Sequence, residues 1–267
     1  MKYAIFSDVH SNIEAFDAVL NVCRSEGAEK YVCLGDIVGY GPNPRECLHR
    51  LWELELAAMV RGNHDEYVAL TDEVMSGFNP NARLAVLWTR GQLTSEERAW
   101  LGELPLRSVI PGTAITIVHA TLDSPDAWGY VFDDHHAADN FSYQFSQLCF
   151  CGHSHVPVAF RKKPMSFGDD KTIEILPQWT ERERERHNFA EFDSLPVEVE
   201  AGYKYLFNIG SVGQPRNHDP RASFCIYDDI DRTVTRFRVP YDFAATQAKI
   251  RAAGLPEKLA ARLASGT

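Results

Sequence analysis

Acidic, amide and histidine side chains recur in this chain directly after short apolar runs. The run Leu56–Val60 leads into Arg61–Asp65 (RGNHD), where a glycine lets the backbone approach a ligand and an amide and an imidazole stand side by side. Four other apolar runs end in side chains of the same kinds, which are Asp8, His10, Asp36, His119, His153 and His155. Imidazole, carboxylate and amide groups suit borderline or hard divalent cations, so the set indicates a metal site that does not use thiolates.

Each of these residues has an ordinary structural explanation when it is taken alone. A histidine such as His119 at the end of a strand is more often a hydrogen-bonded polar residue than a ligand, and Asp8 could cap a helix. Their common position at the ends of predicted strands favours one shared site, because α/β proteins place ligands there. The remaining histidines carry no such signal and are interpreted as structural or solvated, namely His49, His135, His136, His187 and His218.

Five motifs occur in a fixed order: D-x-H at Asp8–His10, G-D at Gly35–Asp36, G-N-H-D at Gly62–Asp65, one histidine at His119 and G-H-x-H at Gly152–His155. In this combination the chain resembles the calcineurin-like metallophosphoesterases. The segments G-D-I-V-G-Y-G-P-N-P and G-S-V-G-Q-P-R resemble the small prokaryotic branch of phosphoesterases and phosphodiesterases typified by archaeal members. The resemblance implies an α/β fold, a four-layer αββα sandwich in which helices flank two mixed β-sheets.

The resemblance also implies a dinuclear metal centre with two divalent transition-metal ions, Mn²⁺ being favoured and iron or Zn²⁺ being alternatives. It assigns Asp8, His10 and His155 to the first ion, Asn63, His119 and His153 to the second, and Asp36 to both. In a strand, residues i and i+2 point the same way, so Asp8 and His10 are expected to reach one ion. Two divalent ions and two carboxylates leave about two positive charges, which would attract a phosphate ester to an acidic chain.

The reaction implied by the resemblance is hydrolysis of a phosphodiester of the nucleotide type, with Asp36 and His64 as catalytic residues. Two metal ions roughly 3.5–4 Å apart can activate a bridging hydroxide for in-line attack. An imidazole such as that of His64 is suited to assist the leaving group near neutral pH. In many relatives an aspartate orients this histidine. The corresponding position here is Gly39, which leaves Asp65 as the candidate for that role.

The glycine-rich segment Gly210–Arg216 follows a predicted strand late in the chain. In relatives this segment begins N-P-G-S, whereas here Ile209 follows Asn208. Its glycines allow a close backbone approach, and Arg216 or Arg221 could bind a second phosphate or an acidic group of the substrate. A tight turn with arginines in surface ion pairs explains the segment equally well.

Three other functions remain as alternatives to a phosphodiesterase. A phosphomonoesterase, including a protein phosphatase, and a dinucleoside polyphosphate hydrolase would use the same ligands. A non-catalytic scaffold built on the same fold is less favoured, because such proteins typically lose ligand residues or the catalytic histidine. Every motif position is filled here.

Composition limits the partners and the compartment. The 267 residues are 45% hydrophobic and 24% charged, which is ordinary for a globular domain. The formal net charge of −10 argues against a general nucleic-acid-binding surface. The 6 cysteines include no C-x-x-C pair, and no long apolar leader or membrane span is recognised, which predicts a cytoplasmic protein. The oligomeric state is left open, with a homo-oligomer among the alternatives.

The order of the predicted elements supports the same fold. Up to about residue 104 the chain alternates strand, loop and helix, which predicts an α/β arrangement. Ser11 and Glu14 have the spacing of a capping box for the first helix. Residues 64–104 are expected to be helical. The short strands predicted after His155 are expected to form the second sheet of the sandwich.

The whole chain, 1–267, is interpreted as one domain. Residues 164–200 are longer than the related pattern needs and are interpreted as an insertion, and residues 243–264 as a helical C-terminal tail. The alternating charges at 181–186 are typical of a solvated face, with a lid or an oligomer contact as the less favoured alternative.

Overall fold

Two β-sheets of six strands each form the centre of the protein, and helices flank them. The computed structural model describes residues 1–70, 75, 78–164, 172–179 and 189–267. The two sheets with their flanking helices confirm the predicted four-layer αββα sandwich. Among the described helices, none has the length and apolar character needed to cross a membrane.

The strands are β1 Lys2–Phe6, β2 Lys30–Cys33, β3 Leu56–Met59, β4 Arg107–Val109, β5 Ile115–Val118, β6 Leu148–Cys151, β7 Val158–Lys162, β8 Ile173–Ile175, β9 Asp193–Glu198, β10 Lys204–Asn208, β11 Ala222–Asp228 and β12 Thr233–Val239. The helices are α1 Ile13–Ser25, α2 Pro44–Trp52, α3 Asn63–Ala69, α4 Pro80–Gln92, α5 Ser95–Glu103, α6 Asp134–Tyr143, α7 Phe243–Ala252 and α8 Glu257–Ser265. A short 3₁₀ helix covers Pro125–Ala127.

Both sheets are mixed. The first has the order β3-β2-β1-β11-β12-β9, in which β1, β2 and β3 are parallel and the other three strands pair antiparallel. The second has the order β4-β5-β6-β10-β7-β8, in which β5, β6 and β10 are parallel. Neighbouring parallel strands end at the same edge of a sheet, which is where α/β proteins place their ligands.

The assignment of all strands after His155 to the second sheet is wrong. β7, β8 and β10 do belong to that sheet, but β11, β12 and β9 extend the first one. These late strands join the first sheet because β11 pairs antiparallel with β1, with Lys2 opposite Asp228 and Ile5 opposite Cys225. Apolar patterning shows that a strand is buried but does not identify its partner.

Apolar side chains fill the space between the layers. One buried cluster includes Ile5 of the first sheet together with Ile117 and Phe150 of the second. On the other face of the first sheet, Phe6 contacts Phe16 of α1, with ring centroids 5.2 Å apart. Burial of each such side chain contributes about 1.5–3 kcal/mol, so these clusters fix the strands whose ends carry the polar residues.

Helix α1 begins one residue later than the capping-box prediction. Its N-cap is Asn12, whose side chain accepts a hydrogen bond from the amide of Ala15 at 3.1 Å. Ser11 has a left-handed backbone (φ 53°), and its amide donates to the carbonyl of Ile37. Ser11 therefore belongs to the preceding loop, and the helix can start only after it.

The predicted helical stretch 64–104 consists of three helices, α3, α4 and α5, within the part of the chain that the structure describes. Helix α3 ends where Leu70 turns to an extended backbone, and Asn79 caps α4 by accepting from the amide of Asn81. The capping box predicted for Thr94 and Glu97 is confirmed at the start of α5.

The proposed insertion at 164–200 contains strands β8 and β9, and the latter was not predicted. The charged run 181–186 and His187 lie outside the described residues, so their interpretation stays a prediction. The C-terminal tail forms α7 and α8, and Pro256 caps the second of these helices.

Candidate metal centre

Five loops meet at the edge where β1, β2, β3, β5 and β6 end. They bring together the predicted metal ligands and the predicted catalytic histidine. Asp8 and His10 follow β1, Asp36 follows β2, Asn63 and His64 begin α3, His119 follows β5, and His153 and His155 follow β6. All of them are buried. The two sheets therefore contribute to one site.

The backbone at this site is left-handed rather than extended. Asp8, His10, Asp36, His153 and His155 have φ values between 49° and 64°. The expectation that strand alternation aims Asp8 and His10 is wrong, because both lie in a loop beyond the end of β1. Non-glycine residues with positive φ are uncommon and cluster at functional sites, although aspartate and histidine adopt this conformation more readily than most residues.

The first cluster consists of Asp8, His10 and His155. The Nε2 atoms of the two histidines are 3.1 Å apart. Asp8 Oδ1 is 3.1 Å from Nε2 of His155 and 3.6 Å from Nε2 of His10. One carboxylate oxygen and two imidazole nitrogens thus converge on a common point.

The second cluster consists of Asp36, His119 and His153. Nε2 of His119 is 3.2 Å from Nδ1 of His153 and 3.3 Å from Oδ2 of Asp36. The same Asp36 oxygen is 3.6 Å from Nε2 of His10 in the first cluster. Asp36 therefore lies between the two clusters, which is the position of a bridging carboxylate.

Backbone carbonyls fix the orientation of each imidazole. Nδ1 of His10 donates to Val38, Nδ1 of His119 to Leu34, and Nδ1 of His155 to Gln214, at 2.6–3.1 Å. His153 is reversed, since its Nε2 donates to the carbonyl of Trp128 at 2.9 Å. Because the bonded nitrogen carries the proton in the neutral ring, the opposite nitrogen presents a lone pair to the site.

The buried oxygens of the site test whether metal ions fit. Oδ1 of Asp8 and Oδ1 of Asn63 are buried and accept no hydrogen bond from the described residues. Leaving such an acceptor unpaired costs about 1–3 kcal/mol. A cation held by these oxygens and by the imidazole lone pairs would satisfy them, so the donor set fits two divalent ions of the type that bind carboxylate, amide and imidazole groups.

The charges of the site are also suited to cation binding. Burial alone would raise the pKa values of the Asp8 and Asp36 carboxyls, but the surrounding histidines hold both below their usual range. Burial and the nearby Arg216 lower the pKa of His155 to about 3. Burial and His119 lower the pKa of His153 to about 4. Near neutral pH the carboxylates are therefore ionised and these two imidazoles are neutral.

His119 differs from the other two histidines. Burial opposes its protonation, but the adjacent Asp36 and Asp8 carboxylates raise its pKa to about 9. Without a bound cation, the two carboxylates therefore favour the protonated form of this imidazole. Binding of a cation would release that proton, as metal binding to imidazole commonly does.

His64 lies beside the clusters without belonging to either of them. Its backbone amide donates to Oδ1 of Asp36 at 2.8 Å, so Asp36 offers one oxygen to α3 and the other to the imidazoles. The close approach requires Gly62, because a Cβ there would lie 2.1 Å from that carboxylate oxygen. The imidazole of His64 faces a cavity of about 390 Å³.

Asp65 does not orient His64, which corrects the sequence interpretation. Its carboxylate accepts from the backbone amides of Asp36, Val38 and Gly62, at 2.7–3.3 Å. It therefore shapes the loops around the site. Nδ1 of His64 is buried and has no hydrogen-bond partner among the described residues.

The two candidate arginines lie in different places. Arg216 lines the cavity, and its Nη2 donates to Gln214 Oε1 at 2.9 Å. Arg221 is buried elsewhere, where it makes a bidentate pair with Asp219 at 2.7 and 2.9 Å and also donates to the carbonyl of Glu191. The proposed role of Arg221 in substrate binding is therefore wrong, because its donors are engaged within the fold.

Other cavity residues were not singled out from the sequence. Tyr40, Phe78 and Tyr130 line the cavity, as do Lys258 and Arg262 of α8. The i, i+4 spacing of Lys258 and Arg262 could have shown that they share a helix face. It could not have shown that this helix face points toward the metal ligands, which all lie more than one hundred residues earlier in the chain.

Comparison with known proteins identifies the family. The calcineurin-like phosphoesterase superfamily domain matches residues 1–231. The chain therefore belongs to the calcineurin-like phosphoesterase superfamily, and its two candidate ligand clusters agree with metal-dependent hydrolysis of phosphate esters.

Two relatives span nearly the whole chain, and a third matches about half of it. An uncharacterized protein of Methanocaldococcus jannaschii is 37% identical over 265 residues, which are 98% of this chain and 97% of that protein. The crystal structure of a metallophosphoesterase from Sphaerobacter thermophilus is 37% identical, with a TM-score of 0.80 and coverage of 100% of this chain and 99% of that one. A symmetrical bis(5'-nucleosyl)-tetraphosphatase of Shewanella sediminis is 28% identical over 130 residues, 48% of this chain and 46% of that protein.

Proposed function

We propose that this protein is a dinuclear metallophosphodiesterase that hydrolyses nucleotide-type phosphodiesters. The observation that carries the proposal is the pair of buried ligand clusters joined at Asp36, beside a cavity lined by His64. Asp8, His10 and His155 would hold one ion, and Asn63, His119 and His153 the other. When bound, two such ions supply an acidified water and neutralise phosphoryl oxygens.

The volume and the aromatic lining of the cavity support a diester rather than a monoester as the substrate. A volume of about 390 Å³ is within the range of sites for small organic ligands and exceeds what a phosphate group fills. Tyr130 stacks on His153 and on Phe132, with centroid distances of 4.5 and 5.3 Å. Tyr130 and Phe132 are each nearly half exposed. Tyr130 lines the cavity, so its ring is placed to pack against an organic substituent of the phosphate, such as a nucleobase.

His64 is proposed to stabilise the leaving oxygen as a neutral hydrogen-bond donor. Burial holds the pKa of His64 well below its ordinary value. A Cβ at Gly39 would lie 2.5 Å from Nδ1, so this nitrogen points into the loop. Nε2 is then the nitrogen left to donate to the substrate. General acid or hydrogen-bond assistance of this kind contributes about 10²–10⁴-fold to a rate.

The first test compares bis-p-nitrophenyl phosphate with p-nitrophenyl phosphate as substrates of the Mn²⁺-loaded protein. Faster metal-dependent cleavage of the diester is expected. A preference for the monoester would overturn the diester proposal in favour of a phosphomonoesterase, including a protein phosphatase. Diadenosine tetraphosphate belongs in the same series, because one partial relative carries the name of a tetraphosphatase.

The second test separates catalysis from metal binding. His64→Ala is expected to lower turnover of bis-p-nitrophenyl phosphate by about 10²-fold or more, with metal content unchanged by elemental analysis. His49→Ala is the matched control, because His49 is paired with Glu97 away from the site. Loss of both metals in His64→Ala would instead make His64 a structural residue. A metal content near zero in the unaltered protein would favour a scaffold.

A further inference from the structure

Helix α8 forms part of the cavity wall although it lies outside the part of the chain that matches the family domain. That match covers residues 1–231, whereas Lys258, Leu259 and Arg262 of α8 all line the cavity. Leu259 also belongs to a buried cluster with Ala85 of α4 and Ile250 of α7. Packing therefore fixes the helix against the site, and the C-terminal segment completes the cavity.

Two guanidinium groups converge at this wall. Nη2 of Arg216 and Nη1 of Arg262 both donate to Oε1 of Gln214, at 2.9 and 3.0 Å. Arg216 also donates to the hydroxyl of Tyr40 at 3.3 Å, and its buried Nε has no hydrogen-bond partner among the described residues. The two arginines are thus held near each other by neutral oxygens.

No aspartate or glutamate side chain pairs with these two guanidinium groups in the part of the chain that the structure describes. Arg216 has no ion pair among the described residues, and Nε of Arg262 donates to the main-chain oxygen of Thr267. Arg221 and Arg251, in contrast, pair with acidic side chains. Burial and Arg216 together lower the pKa of Arg262, which reflects two like charges that are partly desolvated. Such a pair is unfavourable unless an anion lies between or beside the two groups.

The remaining charged side chains of the cavity also favour the binding of an anion. Lys258 is the third cation of the lining, and Asp36 is the one carboxylate among the described lining residues. Asp36 lies between the two ligand clusters, so bound cations would neutralise it. The amide of Arg216 donates to the carbonyl of His155 at 3.2 Å, which places the cationic wall next to the first cluster.

We propose that Arg216, Lys258 and Arg262 form a second anion subsite, which binds a phosphate group of the substrate other than the one that is hydrolysed. The substrate class is then a phosphate ester that carries a further phosphate. Arginine groups bind phosphate oxygens with charge-assisted hydrogen bonds, and the unpaired Nε of Arg216 is one available donor. This inference rests on the proposed phosphoesterase function and deepens it.

The test uses two substrates that differ by one phosphate group. These are thymidine 5'-(p-nitrophenyl phosphate) and the same compound with a 3'-phosphate, both assayed with the Mn²⁺-loaded full chain. The 3'-phosphate is expected to raise kcat/KM by about tenfold, mainly through KM. Arg262→Gln and Lys258→Gln are each expected to remove most of this advantage, with a much smaller effect on kcat/KM for the first substrate.

Arg251→Gln is the matched control, because it removes an exposed cation of α7 that is paired with Glu257 outside the cavity. The advantage should persist in this variant. An equal fall of activity on both substrates in Arg262→Gln would overturn the subsite and assign Arg262 a structural role. The absence of any advantage in the unaltered protein would also overturn it.

A binding measurement keeps the subsite testable if the proposed function fails. Titration of metal-free protein with tripolyphosphate in a calorimeter should show binding that weakens with added salt and is lost in Arg262→Gln. Binding without turnover of either nucleotide substrate would support the subsite and refute the hydrolase. Turnover without this binding would refute the subsite alone.

Discussion

The imidazole of His64 is held by packing against other rings. Its centroid lies 4.2 Å from that of Tyr40, 4.9 Å from that of His10 and 5.3 Å from that of Phe78. Gly39 closes the remaining side, since a Cβ there would lie 2.5 Å from Nδ1. The position at which the family resemblance implies an orienting aspartate is thus next to His64, but here Gly39 leaves space for the imidazole.

Gly39→Ala is therefore expected to impair catalysis as well as stability. The backbone at Gly39 has φ of 91°, so any side chain adds strain of about 1 kcal/mol or more. The added methyl group would also push the imidazole of His64 out of place. We expect turnover of bis-p-nitrophenyl phosphate to fall by at least tenfold, measured at saturating Mn²⁺, with the protein still folded by circular dichroism.

Gly27→Ala provides the comparison for this substitution. Gly27 also has a positive φ (75°), but a Cβ there would meet no atom within 4 Å. Gly27→Ala should lose only the unfolding free energy that the strain of its positive φ costs and should keep its activity, whereas Gly39→Ala should lose more unfolding free energy because its methyl group also meets His64. If the two variants kept equal activity, packing around Gly39 would not position His64.

The metal-ligand candidates could be named from the sequence because their residue types and motif spacing are distinctive. Their conformation could not be predicted, because the left-handed residues Asp8 and His153 are held by hydrogen bonds between loops. The amide of Asp8 donates to the carbonyl of Gly35, and the amide of His153 donates to Oδ2 of Asp8. Asp65 was misjudged for a similar reason, since its neighbours along the chain do not show that three amides converge on its carboxylate. Lys258 and Arg262 lie outside every motif.

At the scale of secondary-structure elements, the segment before β11 is fixed by a buried ion pair. Asp219 accepts two hydrogen bonds from Arg221, and Nε of Arg238 on β12 is 3.8 Å from the same carboxylate. Gly266, just past the end of α8, packs against the backbone of Asp219 and accepts a hydrogen bond from the amide of His218. The ion pair thus links the start of β11 to β12, and the hydrogen bond of His218 with Gly266 joins this segment to the end of α8.

Asp219→Asn is expected to destabilise the protein by roughly 3 kcal/mol at pH 7, because it leaves buried Arg221 without its counter-ion. Burial opposes ionisation of Asp219, but Arg221 and Arg238 hold its pKa below the usual value. A depressed folded-state pKa stabilises the protein above the unfolded-state pKa of about 4, and this stabilisation is lost as the pH falls. Urea unfolding of metal-free protein at pH 7 and at pH 3.5 measures the difference.

The effect of Asp219→Asn should therefore shrink at the lower pH. Asp231→Asn serves as the control, since Asp231 is exposed in the turn between β11 and β12. This variant should differ little from the unaltered protein at either pH. A destabilisation by Asp219→Asn that stays constant from pH 7 to 3.5 would contradict the assignment to the charged pair.

The boundaries of elements were predictable where local signals act alone. Thr94 and Glu97 cap α5 as expected, because both partners lie within one turn of the same helix. Ser11 is not the N-cap of α1, because its backbone amide donates a hydrogen bond to the carbonyl of Ile37 in a loop of the site. Strand β9 was not recognised because its exposed and half-buried residues alternate at the sheet edge without a strong apolar pattern.

At the scale of the whole molecule, each ligand cluster joins the two sheets. Asp8 and His10 follow a strand of the first sheet, and His155 follows one of the second. Asp36 follows the first sheet, whereas His119 and His153 follow the second. The sequence could not show this, because the division of strands between sheets depends on pairing between distant segments such as β1 and β11.

Bound metal ions should therefore stabilise the fold as a unit. A ligand that binds only the folded state adds about 2.7 kcal/mol to the free energy of unfolding when its concentration is about 100 times its Kd. One metal site should therefore raise the Tm of metal-stripped protein by about 5–10 °C. Differential scanning calorimetry with increasing Mn²⁺ measures the rise. Asp36→Asn should lose most of it, because both clusters use Asp36, whereas His49→Ala should retain it. An undiminished rise in Asp36→Asn would mean that Mn²⁺ stabilises the protein at some other place.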